Sequence, residues 1–324
     1  MTTPTNSEVY ALLRQSFLAF LAKVFATLHP GKELQLTWYI EAMCYQLERV
    51  SAGETNRLII NVPPRMLKSI TASVGWPAYL LGHNPSIKIM VVSHSMELAT
   101  VLSNQFRQVV EASWYREAFP TMSGAPRKDN ERTFETSAGG KREARSVNAG
   151  ILGLGADLVI IDDPLDPGEM ATQLAEEKVN LWLDQRLSTR VNDQASTPFV
   201  LVMQRLSIND PVAHMSAQEP WDQLVLPAIA QNDISVPLGP CETHPFQQGD
   251  LLDPVRLPLN ALDAQKAKMG ASNFMAQYLQ APVPDGGGMV DLALFRRFEV
   301  LPPEYDVRFL SVDAATGSPL TCPQ

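Results

Sequence analysis

Residues 57–82, RLIINVPPRMLKSITASVGWPAYLLG, constrain the fold more than any other stretch of the chain. Leu58 to Val62 is a nearly continuous apolar run rich in β-branched residues, which predicts a short strand covered on both faces, as in a parallel sheet. Pro63 and Pro64 end it. The loop Pro64, Arg65, Met66 and Leu67 then delivers Lys68 and Ser69 to the first turn of an apolar helix that runs to Gly82. Unpaired backbone amides and the helix dipole favour an anion at such a turn. The layout therefore predicts Lys68 on the β- and γ-phosphates of a nucleotide and Ser69 on Mg²⁺. Against the phosphate-loop pattern G-x-x-x-x-G-K-[ST], however, Val62 and Leu67 stand where both glycines belong. A proline-rich turn carrying a surface lysine is the alternative, and the downstream residues decide between the two.

A chain of 324 residues with 45% hydrophobic content can bury a large core, in one large domain or two small ones. Its net charge of -9 excludes a global basic field that would draw it to DNA or to an anionic membrane, so any nucleic-acid contact must come from local patches. Cys44, Cys241 and Cys322 are far apart and odd in number, which does not describe a disulfide framework and points to a reducing cytosol. The N-terminus has no basic region leading into an apolar core, and no stretch approaches ~20 uninterrupted apolar residues, so neither secretion nor membrane insertion is expected.

Residues 7–28 and 36–52 carry apolar residues at helical spacing, Leu12, Leu13, Phe17, Phe20, Leu21, Val24 and Phe25 among them, and predict two helices that form an N-terminal subdomain over residues 1–56. Gln35, between them, is a candidate for reading an adenine edge, with a solvated turn glutamine as the alternative. Residues 87–93 predict a second buried strand, followed by a helix from Met96 to about Ala112. Strand, helix, strand, helix implies right-handed crossovers and a parallel sheet. His94 falls where that strand ends, at the ligand edge of an open α/β sheet, and a helix-capping role is the reading favoured for it. Residues 124–146 are locally basic, with Arg127, Lys128, Arg132, Lys141, Arg142 and Arg145 set against four acids; a solvated loop and a DNA or phosphate contact fit equally.

Leu158 to Ile161 predicts another buried strand, running into Asp162-Asp163-Pro164. Paired carboxylates at the end of a buried strand are costly unless they meet a cation or water. They complete a nucleotide site if Asp162 positions Mg²⁺ and Asp163 orients or deprotonates the attacking water. An Asp-Pro turn with an N-cap is the alternative, and the Lys-Ser loop upstream favours the catalytic reading. Residues 171–187 predict a helix with Leu174, Val179, Trp182, Leu183 and Leu187 toward the core, and Phe199 to Met203 predicts a strand ending in Gln204-Arg205, a polar pair placed to couple the γ-phosphate to motion. After Trp221 come prolines and turn residues to about 258, two short helices around 259–280, a linker at QAPVPDGGGMV, and a new strand, RFLSVD, ending in Asp313.

In order, PPRMLKS, GLGADLVIIDDP, LSTRVND, VLVMQRLSINDPVAHM, LPAIA, NFMAQYLQAPVPDGGG and SVDAATG resemble the large terminase subunit of tailed bacteriophages and prophages, across about residues 30–317. The motifs are specific in combination. That resemblance implies an ATP hydrolase of P-loop type, a three-layer α/β/α fold with a central mostly parallel sheet, that drives double-stranded DNA into a procapsid using ATP and Mg²⁺. It implies a P-loop ATPase core over 57–235, a subdomain and linker over 236–290, and the start of an RNase H-like nuclease over 291–324. By position, Arg65, Lys68 and Ser69 become phosphate and Mg²⁺ contacts, Asp162 the metal-linked acid, Asp163 the general base, and Gln204 and Arg205 the coupling motif. Arg142 or Arg145 presents a cation to phosphate, and Asp313 is the first metal-binding acid of the nuclease. One acid cannot hold two metals, so no DNA cleavage is expected of this chain. Many members of the family carry Glu at the position of Asp163, which leaves Asp166 as another candidate acid. The implied partners are double-stranded DNA, a portal protein, a small terminase subunit and further copies in a ring, in the host bacterial cytoplasm and away from membranes. A helicase-like P-loop ATPase and a prophage remnant that binds without turnover are the alternatives.

Overall fold

The structure is a computed structural model that describes residues 5–147, 149–150, 155–168 and 173–284. In chain order its elements are α1 (Asn6–Gln15), α2 (Phe17–Leu28), α3 (Trp38–Ser51), β1 (Arg57–Asn61), a π-helical turn (Ile70–Gly75) running into α4 (Trp76–His83), and β2 (Lys88–Ser93). Next come α5 (Met96–Glu111), α6 (Ser113–Ala118), β3 (Lys128–Asp129), β4 (Thr133–Glu135), β5 (Lys141–Ser146), β6 (Leu158–Asp162) and α7 (Gln173–Trp182), which continues as a π-helical turn (Leu183–Leu187). The described chain ends with β7 (Phe199–Met203), α8 (Pro211–Gln218), β8 (Asp222–Val225), β9 (Ile234–Pro237), β10 (Thr243–Phe246), α9 (Leu259–Met269) and α10 (Ala271–Gln277).

Eight strands form one sheet in the order β3-β4-β5-β2-β6-β7-β1-β8. From β5 to β8 every pairing is parallel; β3, β4 and β5 form an antiparallel meander at one edge. The strands read as continuous apolar runs because both faces are covered, yet the two-residue period still sorts them. Leu58, Ile60, Ile89, Val91, Leu158, Ile160, Val200 and Val202 face a core built with α2, α3, α4 and α5. Ile59, Met90, Val92, Val159, Ile161, Leu201 and Met203 face a second core with α7 and α8. The fold is thus α/β in three layers with a mostly parallel sheet. Its chain order also creates a switch point: β7 lies between β1 and β6, so the segments leaving β1, β6 and β7 emerge side by side at one edge, where open α/β sheets bind ligands.

Several sequence expectations are corrected. The helix expected over 7–28 is two, bent by 113° at Ser16. Ser16 is extended (φ -126°, ψ 113°) and its hydroxyl accepts the Ala19 N–H, so the side chain replaces the main-chain partner and starts a new helix. The bend lets both segments contribute to one core, where Leu13, Phe17 and Phe20 are buried. Among the described residues no single helix is long and apolar enough to cross a membrane. Leu174, expected in the core, is 73% exposed. The stretch up to about residue 258, expected to hold prolines and turn residues, contains the β9–β10 hairpin, which packs His244 flat on Trp38 with ring centroids 4.3 Å apart. Residues 124–146 are not a solvated loop: they build the meander, and β5 places Arg142 wholly inside the protein.

Candidate functional site

Asn61 ends β1, and its buried side-chain amide donates to the Met203 carbonyl at 2.9 Å, which fixes the exit of β1 against that of β7. Two prolines follow, neither able to donate a main-chain hydrogen bond. The chain then turns through Arg65 (φ 69°) and Leu67 (φ 63°), both in the left-handed region that glycine occupies freely. Leu67 stands at the second glycine of the phosphate-loop pattern and adopts the kind of backbone that a glycine would serve. The conformation costs roughly 1–2 kcal/mol per non-glycine residue. Met66, between them, is buried in the core and anchors the loop; Pro64 is half-buried and Arg65 exposed. The main chain is helical from Lys68, and the Thr71 N–H makes a helical bond to the Leu67 carbonyl. The amides that precede it therefore form the open first turn of a helix.

Lys68 is buried, and its ammonium donates to Gln204 Oε1 at 2.7 Å and pairs with Asp163 Oδ2 at 3.0 Å. The Ser69 hydroxyl donates to Asp162 Oδ1 at 2.9 Å. Five side chains, from the end of β6 and the segments after β1, β6 and β7, thus converge within hydrogen-bonding distance. Successive strand residues would point to opposite faces. The chain escapes this at Asp163, whose φ of 45° turns its carboxylate to the same side as Asp162. Burial first, and the Asp163 carboxylate second, push the Asp162 carboxyl up to about 6, while Ser73, Lys68 and Ser69 work the other way. Asp162 Oδ2 and Asp163 Oδ1 are buried with no hydrogen-bond partner. Two carboxylates with unmatched oxygens thus lie beside the Lys68 ammonium. A serine hydroxyl beside a carboxylate is the hard-oxygen pair that Mg²⁺ takes when phosphate oxygens and waters complete its shell. The residues present therefore fit a magnesium-bound phosphate.

The remaining candidates fall elsewhere. Arg142 and Arg145 lie three residues apart on one strand and so on opposite faces of the sheet. Arg142 stacks over Phe106 and donates through Nη2 to the Ser73 carbonyl at 3.0 Å; burial brings its guanidinium down to about 9, with Asp162 acting the other way. Arg145 pairs with Glu143, which also holds Lys141. Arg205 is engaged by the fully buried Asp210, its Nε at 2.9 Å from Oδ2, and does not join Gln204 at Lys68. Asp166 accepts the Gly168 N–H, and Gln35 is exposed ahead of α3. Asp313 lies outside the described residues. Sequence reasoning passed over Asn61 and Asp210. The latter was signalled by Asn-Asp-Pro ahead of an apolar run, since Asp210 caps α8 through the Ala213 N–H with Pro211 at the first helical position. A separate cavity of about 400 Å³, lined by Arg57, Leu187, Phe199 and Trp221, opens at the amino ends of β1 and β7, the edge opposite this site.

No protein-family model matches the chain. Among curated proteins it is 22% identical over 295 residues to the large terminase subunit of Enterobacteria phage T3, a match that covers 86% of this chain and 48% of that protein. The chain spans about half the length of that relative. Among solved structures, the large terminase of bacteriophage HK97 aligns with a TM-score of 0.48 and 15% identity, over 82% of this chain and 54% of that one. A variant of the ATPase domain of the Thermus phage P74-26 large terminase aligns with a TM-score of 0.46 and 14% identity, over 81% of this chain and 98% of that domain.

Proposed function

We propose that this chain hydrolyses ATP as the motor part of a phage DNA-packaging enzyme. The observation that carries the reading is the convergence of Lys68, Ser69, Asp162, Asp163 and Gln204 at the switch-point edge of the sheet. A relative that is a large terminase subunit supplies the packaging context.

In this reading the Lys68 ammonium leaves Asp163 and Gln204 for the β- and γ-phosphates, together with main-chain amides of the first helical turn. Ser69 and Asp162 hold Mg²⁺, which when bound neutralises charge on the phosphate oxygens. Asp163, freed from Lys68, accepts a proton from the water that attacks the γ-phosphorus, while the ADP oxygen departs on the opposite side. The left-handed turn brings the short aspartate side chain within 3.0 Å of Lys68, so reach is supplied by the backbone rather than by an additional methylene. Gln204, at the end of β7, exchanges its bond to Lys68 for one near the γ-phosphate and so reports hydrolysis to the segment that follows. Double-stranded DNA, a portal protein, a small terminase subunit and further copies in a ring are the partners that this reading implies.

Phosphate release by the full chain, with and without double-stranded DNA, tests it. Turnover that needs Mg²⁺ and is stimulated by DNA, with Asp163→Asn retaining ATP but losing at least ~100-fold in rate, supports the proposal. Absence of turnover in every condition, or unchanged turnover in the variant, counts against it. Separation of duplex strands by the parent chain would move the reading to a helicase-like ATPase.

A further inference from the structure

His94 follows β2 directly, beside the acid pair, and the sequence alone favours a helix-capping task for it. The structure gives that task to Ser95, whose hydroxyl accepts the Leu98 N–H at 3.2 Å. His94 instead turns toward Asp163. Its main-chain N–H donates to the Asp163 carbonyl at 3.0 Å, and its ring Nδ1 lies 3.1 Å from the same oxygen. A carbonyl oxygen can only accept, so Nδ1 is the nitrogen that carries hydrogen, and in the neutral ring Nε2 is bare. The other side of Asp163 is tied as well, its N–H donating to the Val202 carbonyl at 2.9 Å. Both peptide groups flanking the Asp163 Cα are therefore held, one by β7 and one by two donors from a single residue after β2. That is the arrangement needed to keep a non-glycine residue at a φ of 45°.

We propose that His94 is a positioning residue: its Nδ1–H and main-chain N–H together clamp the Asp163 carbonyl, hold Asp163 in the left-handed conformation, and thereby aim its carboxylate at the position between Lys68 and the attacking water. The catalytic consequence rests on the ATPase reading above; the clamp itself does not. If Asp163 relaxed to the extended conformation that strands favour, its carboxylate would leave the side of the sheet on which Lys68 and Asp162 lie. The loss would fall on the chemical step, because Lys68, Ser69 and Asp162 make the remaining nucleotide contacts without His94.

Two measurements on the full chain test this. In the first, His94→Ala lowers kcat about tenfold with KM held within about twofold, the size of one lost neutral hydrogen bond acting on the transition state. His94→Asn, whose side-chain amide offers a donor near the place of Nδ1, recovers to within about threefold of the parent. A kcat in His94→Ala equal to the parent, or His94→Asn no better than His94→Ala, overturns the proposal. In the second, long-range ¹H–¹⁵N correlation spectra at a pH where the ring is neutral show the hydrogen of His94 on Nδ1; a ring protonated on Nε2 overturns it. Should the parent hydrolyse no ATP, the ATPase reading fails by itself, and the tautomer still decides whether the clamp exists.

Discussion

Leu67 offers a test of the loop that needs no ligand. Its φ of 63° costs roughly 1–2 kcal/mol in the native state, and glycine would remove that cost. The side chain also packs, half-buried, against the main core, so its loss forfeits about half of the ~1.5–3 kcal/mol that a fully buried leucine contributes. Glycine further gains roughly 0.5–1 kcal/mol of unfolded-chain freedom relative to alanine. Leu67→Gly therefore relieves about 1–2 kcal/mol of strain against losses of about 1.5–2.5 kcal/mol, for a net destabilisation of roughly 0.5 kcal/mol. Leu67→Ala loses the packing and keeps most of the strain, for a net loss of roughly 1–1.5 kcal/mol. The expected order, glycine more stable than alanine, reverses the order at an ordinary helical or extended site. Urea unfolding of the two variants and the parent, followed by tryptophan fluorescence at neutral pH, reads it directly. A Leu67→Gly variant less stable than Leu67→Ala by ~0.5 kcal/mol or more would show that the loop carries no strain at this residue and that the account of the glycine-free turn is mistaken.

Asp162 makes stability depend on pH. Its carboxyl sits at about 6 in the folded chain against an ordinary value of 3.8, so its contribution is fully present below about pH 4 and is lost as pH rises through 6. The ionised group costs on the order of 3 kcal/mol at neutral pH without a metal, and Asp162→Asn should gain on the parent by up to that amount between pH 4.5 and 7.5; an unchanged difference in urea midpoint across that range would contradict it. Gly140 lies where β5 begins, and a Cβ there would meet the Pro85 carbonyl oxygen at 2.3 Å and the Ser86 carbonyl carbon at 2.6 Å, backbone atoms that cannot swing aside. Gly140→Ala should cost about 2 kcal/mol or more by thermal or urea unfolding, and a neutral effect would mean that the meander and the turn before β2 are not packed as described.

The parallel core was legible because burial on both faces leaves a simple signature: LIINV, IKIMVVS, LVII and FVLVM are short, β-branched and bounded by breakers. The site was legible in residue identity, since Lys68, Ser69, Asp162, Asp163 and Gln204 all follow such runs. What sequence could not supply was direction. Asp163 would point away from Asp162 unless its φ became positive, and nothing local announces that a carbonyl clamp from His94 meets it there. Arg142 read as part of a polar loop because its neighbours are charged, yet strand alternation turns Lys141, Glu143 and Arg145 to one face and Arg142 to the other, under α5. Helical spacing likewise ran unbroken through Ser16, where a single hydroxyl bond and packing on two sides decide the bend. The β9–β10 hairpin was hidden by Pro237 and Pro245, which sit on a two-stranded ribbon where a missing donor costs little.

Calorimetric titration of MgATP into the full chain and into Lys68→Ala tests whether Lys68 and its partners form an ATP site. One site is expected in the parent and an affinity at least ~100-fold weaker in the variant, because the lost ammonium is the one cation bonded to both Asp163 and Gln204 among the described residues. Equal affinities in the two proteins, or no binding by the parent while it remains folded, would contradict it.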